Sequence, residues 1–200
     1  MSKVVWKGGT LLAPVPPVMV SCGDMDNSNI ITIAWTGIIN SNPPKTYISV
    51  RPSRHSFEII KRTGEFVINL TPSTLVKQAD YCGIYTGKKV DKFDKCKLTK
   101  ANGSFVSCPL IEECPMNFEC KVSDIVDLGS HCMFIADICA VNVDESLLGS
   151  DGKLCLEKAK LAAFAHGEYY ELGRKIGNFG FSVKKKKTKK VPAEKIKGVK

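Results

Sequence analysis

The 200-residue sequence lacks the motifs that mark several common kinds of site. Its nine cysteines include no Cys-x-x-Cys pair, the spacing that is typical of zinc ribbons and of thioredoxin-type dithiols. It contains neither a G-x-G-x-x-G motif nor a P-loop, so no Rossmann-type nucleotide site is indicated. Its three histidines, His55, His131 and His166, lack the carboxylate–histidine spacing of metal-dependent hydrolases, and we predict no metal site.

Long apolar runs and a continuous signal sequence are also missing. No run approaches 18 consecutive apolar residues, so no membrane-spanning helix is predicted. Near the N-terminus, Pro14, Pro16 and Pro17 interrupt the stretch that would otherwise resemble a signal h-region. The cysteines lie inside apolar patterns, as Cys120 does beside Val122, which is typical of small buried hydrophobes in a reducing compartment. We therefore expect a cytoplasmic protein that does not contact a membrane.

The formal net charge of +9 is concentrated at one end of the chain. Residues 184–200 contain nine lysines and one glutamate, whereas the other 183 residues contain 20 basic and 19 acidic groups. We predict one folded domain over residues 1–183 and a disordered lysine-rich tail over residues 184–200, because the tail has few apolar residues. Nucleic acid, an anionic membrane or an acidic protein would suit such a tail. It has no interleaved aromatic residues, so we favour a solvated terminus and do not expect nucleic acid as a partner.

The strongest strand pattern lies within residues 29–70. Three runs rich in Ile, Val and Thr, at residues 30–39, 46–50 and 66–70, predict strands. Residues 40–44 contain two prolines, and we expect them to interrupt the strand ladder because proline has no N–H group to donate.

A second strand pattern predicts a long hairpin. Residues 116–123 alternate between apolar and polar side chains, which predicts a half-buried strand with Glu119 on its polar face. A turn at residues 127–130 leads to an apolar run at residues 131–143, while residues 154–163 fit either a helix or a strand. Six or seven strands with helices inserted between them favour a mainly β, antiparallel barrel over a doubly wound sheet.

A short helix is predicted directly after the second of the three runs. Ser53 fits its N-cap, Phe57 and Ile60 share one face, and Gly64 fits its end. The free N–H groups of the first turn, two arginines and two hydroxyls would suit an anion. Two interpretations remain at this point: a site for a phosphate-bearing ligand, and an ordinary capped surface helix.

Several short motifs occur in a fixed order along the chain. They are NIITIAWTG at residues 29–37, NPP at 42–44, SVRPSRHS at 49–56, DYCG at 80–83, Gly87 with DKF at 91–93, ECP at 113–115, ECK at 119–121, LGSH at 128–131, GEYY at 167–170 and GNFG at 177–180. In this order and spacing they resemble the flavin reductase-like proteins, and among these the flavoredoxin group. The resemblance covers the chain up to about residue 182.

This resemblance implies a fold, a cofactor and a site. The fold is an antiparallel split β-barrel of the Greek-key type, which forms a homodimer and binds FMN near the subunit boundary. Flavin contacts are implied at Asn29, Trp35, Ser56, Lys92, His131 and Phe164, and we add Thr36, Ser49, Arg51 and Arg54 from the same motifs as candidates. No catalytic residue is predicted.

The chemistry of these side chains fits an FMN site. Ser56 at the helix start and Lys92 would meet the phosphate with a hydroxyl and a positive charge. Trp35 and Phe164 would shield the ring, and Asn29 would bond its polar edge. As alternatives, Trp35 and Phe164 fit ordinary core positions, and His131 fits a structural or exposed position beside a turn.

The resemblance leaves two modes of an FMN-dependent oxidoreductase. One is a flavin reductase that takes electrons from NAD(P)H, and the other is an electron carrier that holds FMN tightly and docks with a redox protein; the likeness to flavoredoxin slightly favours tightly held FMN. A different class of protein is a non-catalytic binding module whose basic tail contacts nucleic acid or an acidic partner.

Overall fold

The computed structural model describes residues 1–183, so the predicted disordered tail lies outside the described residues. The strands are β1 Val18–Gly23, β2 Ser28–Ile33, β3 Thr36–Ser41, β4 Pro44–Val50, β5 Glu65–Asn69, β6 Lys100–Ala101, β7 Leu110–Ile111, β8 Met116–Asp127, β9 Cys132–Val143, β10 Ala162–Ala165 and β11 Glu168–Glu171. The α-helices are α1 His55–Thr63, α2 Val76–Ile84 and α3 Lys92–Cys96. Short 3-10 helices occupy Ser73–Leu75, Glu145–Leu147, Leu156–Ala159 and Phe181–Val183. The segment at 154–163 therefore combines a 3-10 helix with the start of β10.

Seven strands form one antiparallel sheet in the order β2-β1-β5-β8-β9-β4-β3. The pairs β6–β7 and β10–β11 form two small separate sheets. The expectation of a mainly β, antiparallel fold with inserted helices is confirmed. The large sheet is not closed, because β2 and β3 are its two edges. The chain passes from one edge to the other through Ala34 and Trp35, and the N–H of Ser49 on β4 donates to the Trp35 carbonyl at 3.0 Å.

Helices cover both faces of this sheet beside β1 and β2. Phe57 and Ile60 of α1 pack on one face, with Phe66 and Phe134 among the buried residues of the same cluster. On the other face, Ala79 and Cys82 of α2 and Phe93 of α3 pack against Met19 and Ile30. β1 is therefore buried along its whole length. The start of α1 and the α2–α3 pair meet at the edge strand β2.

The expected course of residues 30–44 needs two corrections. The apolar run 30–39 is two strands and not one, because the chain leaves one sheet edge at Ile33 and joins the opposite edge at Thr36. The prolines do not interrupt the ladder as expected, since Ser41 pairs with Pro44. Pro44 is the first residue of β4, a position at which a strand tolerates proline.

The helix predicted after β4 is present, but its N-cap differs from the prediction. α1 begins at His55 and its N-cap is Arg54, so the assignment of Ser53 is wrong. No side chain caps the first turn. The helix ends as predicted at Gly64, whose φ of 69° is a left-handed conformation that glycine adopts without strain. The first-turn N–H groups of α1 are thus left without a side-chain partner.

The β8–β9 hairpin is present, but Glu119 is not on an exposed face. Its side chain is buried, and its carboxylate accepts N–H hydrogen bonds from Ser104 at 3.1 Å, Phe105 at 2.6 Å and Val106 at 3.1 Å. Asn142 Nδ2 donates a fourth bond at 2.9 Å. Burial alone would raise the pKa of this carboxyl, but the hydrogen bonds outweigh burial and hold the pKa below its usual value. Alternation alone misplaced Glu119 because the loop at 104–106 covers the polar face of the strand.

Within residues 1–183, no helix is both long and apolar enough to cross a membrane.

Replacing Glu119 tests this buried carboxylate. Glu119→Gln puts an amide N–H₂ among backbone donors, and we expect the free energy of unfolding at pH 7 to fall by about 2–4 kcal/mol in urea denaturation. Because the folded pKa lies below the unfolded value of about 4.3, the stabilisation is complete above that pH and is lost as the pH falls through the folded pKa. The difference in the free energy of unfolding between wild type and Glu119→Gln should therefore become smaller at acidic pH.

The exposed Glu112 provides the control. Glu112→Gln should change the free energy of unfolding by less than about 0.5 kcal/mol. Equal effects of the two substitutions on the free energy of unfolding would contradict the inference that the Glu119 carboxylate stabilises the fold through its hydrogen bonds to the 104–106 loop.

Candidate functional site

Two adjoining cavities lie where α1, β2 and the loop between α2 and α3 meet. The first, which we call the basic cavity, has a volume of about 160 Å³ and is lined by Asn29, Ile31, Arg51, Ser53, Arg54, His55, Ser56, Cys82, Gly83, Tyr85, Thr86, Gly87 and Lys92. The second, which we call the aromatic cavity, has a volume of about 190 Å³ and is lined by Ile31, Thr32, Ile33, Ala34, Trp35, Ser49, Val50, Arg51, Arg54 and His131. Ile31, Arg51 and Arg54 line both cavities, so the two adjoin.

The charge of this site has one sign. Arg51 and Arg54 stand between the two cavities, and Lys92 lines the basic cavity. No carboxylate from the described part of the chain lines either cavity. The N-terminus of the nine-residue helix α1 adds a partial positive charge and N–H groups that no side chain caps, although the Phe57 N–H already donates to the Arg54 carbonyl at 3.0 Å. The basic cavity is therefore built to hold an anion, which favours the ligand-binding interpretation of α1 over the ordinary surface helix.

Asn29 and Ser56, two predicted site residues, are joined directly. The Nδ2 of Asn29 donates to the Oγ of Ser56 at 2.7 Å, and both side chains are buried. The backbone of Gly87 lies directly against Asn29 and His55. A Cβ at this position would lie 2.1 Å from Asn29 Oδ1 and 2.9 Å from His55 Cδ2. Only glycine allows the α2–α3 loop to approach the start of α1 this closely.

Lys92 is buried at the back of the basic cavity. Its Nζ donates to the carbonyl oxygens of Ile30 at 2.6 Å and Cys82 at 2.7 Å, so it connects β2, α2 and α3. Burial lowers the pKa of this ammonium below its usual value. An ammonium group carries three donors, so one N–H remains beyond the two carbonyl bonds.

A pair of aromatic rings lines the aromatic cavity at the split in the sheet. The rings of Trp35 and His131 have centroids 4.8 Å apart and are tilted by 38°. The Nδ1 of His131 lies 3.0 Å from Ser130 Oγ. Burial lowers the pKa of His131, and the charges of Arg51 and Arg54 lower it further. The indole and the imidazole together give this cavity an aromatic, weakly polar wall.

Two predicted site residues lie outside both cavities. Thr36 donates from Oγ1 to the Tyr47 carbonyl at 2.6 Å and lines an apolar cavity on another part of the sheet. Phe164 lines a further cavity that reaches Thr32 and Ala34, and its ring packs edge-on against Tyr169 at 5.1 Å. The structure thus brings eight of the ten candidates together and leaves Thr36 and Phe164 apart, and flavin contacts by all ten stay predictions.

The structure adds residues that the site prediction did not include. Ser53 and His55 face the basic cavity beside the start of α1, and Tyr85, Thr86 and Gly87 face it from the α2–α3 loop. Burial, together with the charges of Lys88 and Lys92, lowers the pKa of His55. Gly87 and the run SVRPSRHS carried a signal in the sequence, whereas nothing in the residue types of the loop indicated Tyr85 and Thr86.

The chain is similar in sequence and in structure to known proteins. Residues 11–173 match the family model of the flavin reductase like domain. The structure is similar to flavoredoxin of Desulfovibrio vulgaris (TM-score 0.85, 34% identity, 92% of this chain and 100% of that one). It is also similar to flavoredoxin from Methanosarcina acetivorans (TM-score 0.82, 26% identity, 92% and 100%).

The fold class is confirmed by a third structure. A Shewanella frigidimarina protein described as having a split barrel domain superposes with a TM-score of 0.74 over 82% of this chain and 85% of that one, at 24% identity. The open seven-stranded sheet with its two edges at β2 and β3 is accordingly a split barrel.

Proposed function

Because this chain belongs to the flavin reductase like family, with which it shares a flavin-related redox function, we propose that it is an oxidoreductase that holds FMN across the basic and aromatic cavities. The observation that carries the proposal is that an acid-free, cationic cavity adjoins a cavity lined by the rings of Trp35 and His131. FMN has the matching shape, since it joins a phosphate to a flat tricyclic ring.

The phosphate end is assigned to the basic cavity. Ser56 and the first-turn N–H groups of α1 would donate to phosphate oxygens, with Arg51, Arg54 and Lys92 supplying positive charge. The absence of a side-chain cap on α1 leaves these N–H groups for a ligand. Gly87 keeps the cavity open, because a side chain there would displace Asn29.

The ring end is assigned to the aromatic cavity. Trp35 and His131 would cover part of the ring, and Ser49 would bond its polar atoms. Asn29, which was expected at the polar edge of the ring, lines the basic cavity beside Ser56 instead. FMN supplies the redox chemistry when it is bound, since it accepts a hydride or single electrons and passes them on. The protein orients the cofactor and leaves room for a reductant, which is NAD(P)H or a redox protein.

Replacing Lys92 tests the phosphate assignment. Lys92→Met keeps the apolar stem and removes the charge, and we expect FMN binding to weaken by about 1.5–3 kcal/mol, or roughly tenfold to 150-fold in Kd. The measurement is fluorescence titration of the apoprotein with FMN.

Riboflavin, which lacks the phosphate, separates the phosphate contact from general damage to the site. Its affinity should be the same for Lys92→Met and wild type, and the exposed Lys89→Met should bind both ligands normally. Equal losses for FMN and riboflavin would show that Lys92 only supports the packing of α3.

The visible spectrum and anaerobic reduction test the function itself. We expect the purified chain to retain FMN through gel filtration and to show flavin absorbance. Bleaching of that absorbance by NADH or NADPH under anaerobic conditions assigns the reductase mode, and no bleaching by either assigns a protein donor. A colourless chain that fails to take up added FMN would overturn the proposal.

A second copy of the chain is the proposed structural partner. The segments at both ends of the described chain carry exposed apolar side chains: Trp6 and Leu12 near the N-terminus, Ile176 and Phe179 near the C-terminus. Ile38 is exposed on the edge strand β3. Apolar groups exposed in such numbers are typical of surfaces that another chain covers.

Light scattering tests the homodimer. We expect about twice the chain mass of 21.9 kDa at micromolar concentration. Removal of residues 1–12 should weaken the dimer, since it deletes Trp6 and Leu12, while the unchanged β-sheet serves as the internal control by circular dichroism. A monomer that binds FMN fully would contradict the proposal.

A further inference from the structure

Two cysteines that are far apart in sequence form a close pair behind the basic cavity. All nine cysteines of the chain lie in the described residues and are free thiols. The Sγ atoms of Cys82 on α2 and Cys96 on α3 are 3.9 Å apart. The two residues are 14 positions apart, so no Cys-x-x-Cys spacing indicates them.

The packing of α2 and α3 keeps these sulfur atoms together. Ala79, Cys82 and Phe93 belong to one buried cluster, and Cys96 packs against it. Cys96 is the last residue of α3, and Lys92, one helical turn earlier, donates from Nζ to the Cys82 carbonyl at 2.7 Å. The packing of the buried cluster and the hydrogen bond from Lys92 therefore both keep Cys82 and Cys96 close together.

We propose that Cys82 and Cys96 are a redox-active dithiol that a hydroperoxide converts to a reversible disulfide. Cys96 is the point of entry, because it is half-buried and lines a separate cavity with Lys77, Lys95 and Lys97. Cys82 is fully buried and reacts second.

The two steps balance in atoms and electrons. The Cys96 thiolate attacks one oxygen of hydrogen peroxide, the O–O bond breaks, and a sulfenic acid and hydroxide result. Cys82 Sγ then attacks the Cys96 sulfur and the S–O bond breaks. The departing hydroxide leaves as water with the Cys82 proton. In total, two thiols and one peroxide give a disulfide and two waters.

The raised pKa values of the two thiols make their oxidation by peroxide slow. Burial raises the pKa of Cys82 to about 12, and burial also raises the pKa of Cys96 although its hydrogen bond with Cys82 and the charge of Lys92 oppose the rise. The thiolate fraction at neutral pH is therefore small, and the rate should increase with pH. What favours the pair over the other cysteines is the second sulfur within reach.

Disulfide formation also acts on the basic cavity. A disulfide has its sulfur atoms about 2.0 Å apart, so the pair must close by roughly 2 Å, which moves the last turn of α3 relative to α2. Lys92 lies on that helix, and in the dithiol state its Nζ donates to the carbonyls of Ile30 and Cys82. Movement of the helix therefore displaces the Lys92 ammonium group from this position. Since this step relies on the proposed function, FMN affinity should fall by about twofold to tenfold on oxidation.

Peptide mapping tests the dithiol without using flavin. The full chain is treated with one equivalent of hydrogen peroxide, denatured and alkylated with N-ethylmaleimide. We expect a peptide pair joined through Cys82 and Cys96 that dithiothreitol separates. Cys139→Ser, which removes another half-buried thiol, should give the same link.

Two variants separate the roles of the sulfur atoms. In Cys82→Ser, oxidation should stop at a sulfenic acid on Cys96 that dimedone traps. In Cys96→Ser, Cys82 should remain reduced. Absence of the link in wild type, with Cys139 or Cys155 oxidised at least as fast as Cys96, would overturn the proposal.

The effect on FMN has its own control. The FMN affinity of Cys96→Ser should not respond to peroxide, whereas that of wild type should. Unchanged affinity in linked wild type would overturn the connection between the dithiol and the cavity. A chain that forms the link but binds no FMN would refute the proposed function and leave the dithiol standing.

Discussion

The site depends on Lys92, a buried cation for which the described part of the chain provides no carboxylate. Burying an unpaired charge is costly, and two backbone carbonyls offset the cost only in part. A bound phosphate would complete the compensation, since the basic cavity faces the same ammonium group and no acid lines it. The same bonds join β2, α2 and α3, so the group that attracts the anion also positions the cavity wall. One side chain therefore contributes positive charge to the basic cavity and also holds together the elements that form its wall.

The open sheet explains why the ligand site lies where it does. A fully closed barrel would pair β2 with a neighbour, whereas here β2 is an edge and the chain leaves it through Ala34 and Trp35. The polar backbone of that edge and the indole of Trp35 remain beside the cavities, and the start of α1 lies next to them. The proposed FMN site thus lies at an opening that the fold itself creates, with Gly87 as the point where the loop from the opposite face reaches it.

Much of the fold could be predicted from the sequence, because local signals and tertiary structure agree there. β4, β5, the end of α1 at Gly64 and the β8–β9 hairpin follow from residue patterns alone. The patterns failed where distant segments decide the outcome. No periodicity marks the passage between sheet edges at residues 34–35, and Glu119 is buried by a loop about 15 residues away. For the site, motif order identified eight residues that line the two cavities, but it gave no information about Tyr85 and Thr86 of the loop or about the proximity of Cys82 and Cys96.

The two ends of the site differ in how open they are, and this separates two kinds of redox event. Trp35 is 41% exposed at the split, so a reductant or an acceptor can reach the aromatic cavity there. Lys92 and Cys82, in contrast, are buried behind the basic cavity. With the flavin ring assigned to the aromatic cavity, Cys82 lies at the phosphate end and not at the ring. In this proposal the dithiol acts on the flavin through the position of Lys92, and electrons enter and leave the ring at the split.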